Sequence, residues 1–186
     1  MSTRVRLLRH PGPVDPVRLE SSIEPAGRSV RLQLAEGKSL LDAIVEPLTL
    51  HDIWSATFSL LGGHLSRVRY VLARPDQASP RIVSLTDAIE ADSVSLVTGS
   101  GTLGRGVDGK PFIHCHALFA DKGGETFGGH VLTDATVMGA GAVAYVRGFS
   151  DVSVEVRYDA EIDVPTLRPR AVRIASPSTL PGAGLT

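Results

Sequence analysis

The spacing of apolar residues changes along the chain, and each change predicts an element. In "SVRLQLAEG" Val30, Leu32 and Leu34 alternate with polar residues up to Gly37, the period-two pattern of a half-buried strand closed by a turn. In "LLDAIVEPL" the period lengthens: Leu40, Leu41, Ile44, Val45 and Leu48 recur at three and four. That spacing predicts a short helix with one apolar face, Ser39 as its N-cap and Pro47 near its end. Period two then returns. "DIWSATFSLLGG" and "RVRYVLA" predict two strands meeting around Gly62, Gly63 and His64. "RIVSLTDAI", "DSVSLVTGSG", "PFIHCHALFA", "GGHVLTDATV", "GAVAYVRGF" and "VSVEVRYD" follow at short spacing with turn residues between them. Strands in such close succession are joined by hairpins, so the expected fold is α+β, a mainly antiparallel sheet with one helix laid on it.

The ends of the chain lack this patterning. Residues 1–27 hold Pro11, Pro13, Pro16 and Pro25 among alternating charges, which suits an arm lying over a surface. The small, polar stretch "ASPSTLPGAGLT" reads as a flexible tail. The expected organisation is an arm over 1–27, one domain over 28–170 and a tail over 171–186.

Composition narrows the function classes. A chain of 186 residues with 42% hydrophobic content supports one core of ordinary size. Nineteen basic residues against twenty acidic ones give no broad positive field, which argues against general binding to nucleic-acid phosphates. No apolar run reaches the roughly 18–20 residues of a membrane helix, and "MSTRVRLLRHPGP" has no apolar core of a secretory signal. The single cysteine, Cys115, excludes an internal disulfide. These features set the expectation of a soluble, cytoplasmic protein with no membrane partner.

Three of the six histidines fall within "IHCHALFADKGGETFGGH", residues 113–130. On a strand His114 and His116 point to one face and Cys115 to the other. A hairpin centred near Gly123 makes facing positions sum to 246, which sets His116 opposite His130 on that same face. A slip of one residue would send His130 to the far face. Gly128 and Gly129 would admit either a bulge or another backbone at close range. Three neutral imidazoles suit zinc or a similar divalent ion and leave a fourth position for water or substrate. Histidines on strands also serve as hydrogen-bonding residues in hairpins and interfaces, and spacing alone leaves both readings open.

The segment "VTGSGTLGRGVDGKPFIHCHALFADKGGETFGGHV" and the entry "LAEGKSLLDAI" resemble the plants and prokaryotes conserved domain family, over roughly residues 28–165. The most specific part is His-x-His followed by Gly-Gly-His, with 13 residues between the second and third histidines. The resemblance implies a small α+β domain with one or two helices that assembles as a homotrimer. It also implies that His114, His116 and His130 hold a metal, usually zinc, near a subunit boundary. A small molecule is then the expected ligand, bound or acted upon at the metal, with Asp121, Glu125 and Glu155 as candidate acid-base partners. The alternatives are a trimer that binds a ligand without turnover and a DNA-associated regulator. Plant relatives carry an Arg-Gly-Arg-Pro hook for the minor groove. Here "GRGVDGK" lacks its second arginine and proline, and "RPRAVR" at 168–173 reads as a solvated basic tail. Ala142, Val143 and Ala144 stand where many members carry an acidic residue.

Other signals weigh less. Residues 99–104 fit G-x-G-x-x-G after a strand, but the "RGVDGKP" that follows reads as a turn, without the helix whose N-terminus would hold a pyrophosphate. His64 repeats the Gly-Gly-His pattern, as an added ligand or as a recurring strand-end glycine pair. His10 and His51 lie beside arm and turn residues and are expected to be solvated.

Overall fold

The computed structural model describes residues 10–16, 20–75 and 83–172. Its one described helix, α1 (Leu40–Thr49), begins where Ser39 Oγ accepts the Asp42 N–H at 3.0 Å. The three-and-four spacing buries Leu40, Ala43, Ile44 and Leu48 on one face, and each large aliphatic removed from water there contributes about 2 kcal/mol.

The sheet is organised by β6 (Ile89–Arg105), a strand of 17 residues. The sequence pattern ended this strand at Gly101; the ladder continues to Arg105, and the segment read as "RIVSLTDAI" divides into β5 (Val83–Leu85) and the start of β6. One edge of β6 is lined by β2 (Ala56–Leu61) and then by β3 (His64–Val71), both antiparallel to it. Ala56 faces Leu103, Leu61 faces Thr98, His64 faces Ser95 and Tyr70 faces Ile89, a single register throughout. The strands therefore meet at Gly62 and Gly63, but end to end, not side by side as a hairpin would place them. Both glycines have positive φ, 60° and 85°, a backbone that resists other residues. Their break lets the outer edge divide. β2 goes on to pair with β10 (Val143–Gly148), which pairs with β1 (Arg28–Gln33). β3 pairs instead with β8 (Thr126–Val131) and β9 (Val137–Met138).

On its other edge β6 pairs with β7 (Pro111–Ala120), and β7 with β8. The pairs Tyr70–Val131 and Val71–His130 close β3, β6, β7 and β8 into a ring. Tyr70, Phe119 and Phe127 meet with centroids 5.7–6.1 Å apart. The β6–β7 register shifts by one between Leu96 and Thr98, a bulge that leaves Val97 as the extra residue. Inward positions accordingly change from Val94 and Leu96 to Gly99, Gly101 and Leu103.

β11 (Val152–Asp159) and β12 (Val164–Ala171) form an antiparallel ribbon that joins the sheet through a parallel bridge from Glu155 to Arg105 of β6. It crosses β6 at Gly104, where an added Cβ would lie 2.5 Å from the Val154 carbonyl oxygen, and the Val154 N–H donates to Ser55 Oγ at 2.9 Å. Arg168, Pro169, Arg170 and Ala171 belong to β12, so the start of "RPRAVR" is strand and not a solvated tail. Arg168 pairs with Glu20 at 2.7 Å and with Asp159. The described arm residues, 10–16 and 20–27, contain no helix or strand. Gly12 N–H donates to the Glu161 carbonyl at 2.9 Å, and the Glu24 carboxylate accepts the Ser150 and Asp151 N–H groups at 2.7 Å each. The expected tail from residue 173 onward lies outside the described residues. Among the described residues no helix is long and apolar enough to cross a membrane, and β4 (Ala73–Pro75) with β5 makes a further small hairpin.

Candidate metal centre

Strand alternation sorts the side chains of β7. Ile113, Cys115 and Phe119 enter the core, while His114 and His116 stand on the opposite, open face. The turn into β8 is built by Asp121, whose carboxylate oxygen accepts the Gly123 and Glu125 N–H groups at 2.8 and 2.9 Å. That Asx-type closure sets His116 directly across from His130, the register that a hairpin centred on Gly123 requires. The ladder runs unbroken from there to Ala120–Thr126, so the glycines make no bulge. They serve close approach instead. An added Cβ on Gly128 would lie 2.3 Å from the Ala117 carbonyl oxygen, and one on Gly129 would lie 2.6 Å from that of Val71.

The three rings converge. Centroids are 4.9 Å apart for His114–His116, 4.7 Å for His114–His130 and 5.2 Å for His116–His130, and one nitrogen from each lies within 4.8 Å of the others. Tetrahedral zinc–imidazole bonds of roughly 2.0–2.1 Å place ligand nitrogens roughly 3.3 Å apart, which modest ring rotation reaches from here. Burial, and then the nearby imidazoles, hold His114 and His130 below the usual histidine pKa of 6.5. Both rings are therefore biased to the neutral form that binds a metal. Cys115 lies fully buried on the far face with its thiol pushed up to about 12 by burial, and takes no part. The donor set fits a borderline divalent ion with an open position.

The histidines line a groove of about 1190 Å³. Its lining includes Leu72, Val83 and Leu85, Val156, Val164 and Leu167 of the ribbon, and Val107 and Asp108 of the β6–β7 turn. The candidate acid-base residues are not among its lining: Asp121 is committed to the hairpin turn, Glu125 sits beside it, and Glu155 is in register with Arg105 and Arg168. The carboxylate that does line the groove is Asp108, which accepts the Lys110 N–H at 3.0 Å and has Lys110 Nζ at 3.6 Å. The β6–β7 hairpin, with His114 opposite Thr102, brings this turn to the site, a placement that requires the β6–β7 register.

His64 is not part of the centre; its Nε2 lies 3.2 Å from Ser93 Oγ. His10 and His51 are exposed. The G-x-G-x-x-G stretch lies wholly within β6, where Gly101 makes room for the Phe58 ring and Gly104 for the ribbon backbone. Ala142 and Ala144 are fully buried core residues.

Three solved structures share the fold. A metal-containing protein from Archaeoglobus fulgidus superposes with a TM-score of 0.64 at 21% identity, covering 80% of this chain and 98% of that one. A plant- and prokaryote-conserved protein from Pyrococcus horikoshii gives 0.62 at 18% identity, over 80% and 97%. A Ralstonia eutropha protein named as a candidate for DNA binding gives 0.57 at 19% identity, over 83% and 99%. No curated protein matches the chain. The model of the Plants and Prokaryotes Conserved (PCC) domain matches residues 21–147, which hold β1 to β9, all but the last residue of β10 and all three histidines. The chain belongs to the plants and prokaryotes conserved domain family.

Proposed function

We propose that the protein binds zinc, or another divalent transition metal, through His114, His116 and His130 and uses the open position to hold a small molecule. The convergence of three imidazoles at the edge of a roomy groove carries this reading, and the A. fulgidus relative, described as metal-containing, supports it. A metal bound there would supply a Lewis acid to a donor atom of the ligand. The chain contributes three imidazoles, a groove with a largely apolar lining, and Asp108 among its lining residues.

The resemblance adds a homotrimer with the site near a subunit boundary. The open sheet face that carries His114 and His116 also exposes Leu61 and Leu118 at 47% and 41%, an apolar surface suited to a second copy. Light scattering is expected to give three chain masses; a stable monomer at micromolar concentration would remove the trimer from this reading.

Elemental analysis tests the centre. Single replacement of His114, His116 or His130 by Ala is expected to lower bound zinc sharply, while Cys115→Ser leaves it unchanged. Full zinc retention in His130→Ala would remove the third ligand, and equal loss in Cys115→Ser would contradict the assignment of faces.

A further inference from the structure

The groove above the histidines has a composition unlike that of a nucleotide or phosphate site. Among its described lining residues there is no lysine or arginine, and Asp108 is the one carboxylate. Its apolar walls come from two lining segments, Leu72 and Leu85 before the histidines in the chain and Val156 and Leu167 after them. The polar groups beyond the imidazoles are few, chiefly Thr102, in register with His114, and Thr166. Its volume of about 1190 Å³ exceeds what a two- or three-carbon acid would fill, since pockets for drug-sized ligands span roughly 300–1,000 Å³. One wall, the ribbon of β11 and β12, lies beyond the residues matched by the family model.

We infer that the ligand is an amphiphilic monoanion, with a carboxylate-type head at the histidine centre and an aliphatic or aromatic body of about six or more carbons between the two walls. The inference rests on the proposed metal centre, because the positive charge that would hold the head is the metal's. Among the described lining residues a polyanionic ligand would find no cationic side chain for its further charges. A short polar acid would leave the walls wet, forfeiting the favourable transfer of its body from water. The ribbon supplies Val156 and Leu167 from outside the matched residues, so the preference for the body belongs to this chain and is not given by the histidine motif.

Titration calorimetry of the zinc-loaded full chain with acetate, hexanoate and octanoate separates the two levels of the claim. Burial of a methylene tightens binding about fourfold, so burying half of the six that octanoate adds to acetate gives roughly 60-fold. Leu85→Asn and Leu167→Asn, one in each wall, are expected to cut octanoate affinity at least about tenfold while leaving zinc content and acetate binding unchanged. Octanoate binding no tighter than acetate, as when a neighbouring copy fills the groove, would overturn the inference and leave the metal centre standing. Unchanged octanoate affinity in both variants would do the same, and so would equal binding to zinc-free protein. Failure of the wild-type chain to take up zinc would instead overturn the metal centre, and the inference with it.

Discussion

His114 and His130 are held below the ordinary histidine pKa of 6.5, first by burial and then by repulsion from neighbouring imidazoles. A depressed pKa means that the folded protein takes up these protons less readily than the unfolded chain does. The associated stability is present above pH 6.5 and drains away as pH falls from there through the folded values. The thermal midpoint of metal-free protein should therefore drop between pH 7.5 and 5.5, with a shallower drop when both residues are replaced by Gln. The same protons compete with zinc, which a chelator assay should find released below about pH 6; full retention at pH 5 would argue against imidazole ligands. Cys115 behaves oppositely, since burial favours its neutral thiol and denies access to reagents. Iodoacetamide should label it only after unfolding. Cys115→Ser should cost about 1–3 kcal/mol in a denaturant titration, because a buried hydroxyl there would have, among the described residues, only the long contact to the His116 carbonyl that the thiol makes at 3.8 Å. The two-residue period made this division of faces legible from the sequence.

At the scale of elements, what was legible depended on the range of the interaction. Helix α1 and the β7–β8 hairpin are local: a cap, a period and a glycine turn determine them, and the His116–His130 register follows. The glycines at 62 and 63 carry the same local signal as a hairpin, yet β6 is long enough to hold β2 and β3 in line, a fact that resides 30 or more residues away. The Val97 bulge was hidden for another reason, because apolar alternation continues on either side of it and only the partner strand reveals the shift. The ribbon crossing depends on Gly104, whose missing Cβ faces backbone that cannot step aside. Gly104→Ala should cost about 1–3 kcal/mol and expose the β11–β12 ribbon to limited proteolysis. Gly109→Ala, in open space with φ of 78°, should cost about 1 kcal/mol and leave the ribbon protected.

For the molecule as a whole, nineteen basic residues against twenty acidic ones leave no broad positive field, and the expectation is weak DNA association. Binding to an AT-rich duplex should be weak and should vanish as salt rises; nanomolar affinity at physiological salt, by fluorescence anisotropy, would reverse the ranking of small molecule over DNA. The groove that supports this ranking could not be read from the sequence, since its walls come from β5 and β12, on opposite sides of the histidine hairpin in the chain. The three histidines, in contrast, sit on one hairpin within 17 residues. This difference has a kinetic consequence. A metal that recruits only local ligands can draw the hairpin together before the distant strands arrive, and low contact order favours early formation. Zinc present during refolding should then raise the folding rate and leave the unfolding rate nearly unchanged, whereas a hairpin formed late would show the reverse. The walls, waiting on β5 and β12, would assemble afterwards around a centre already in place.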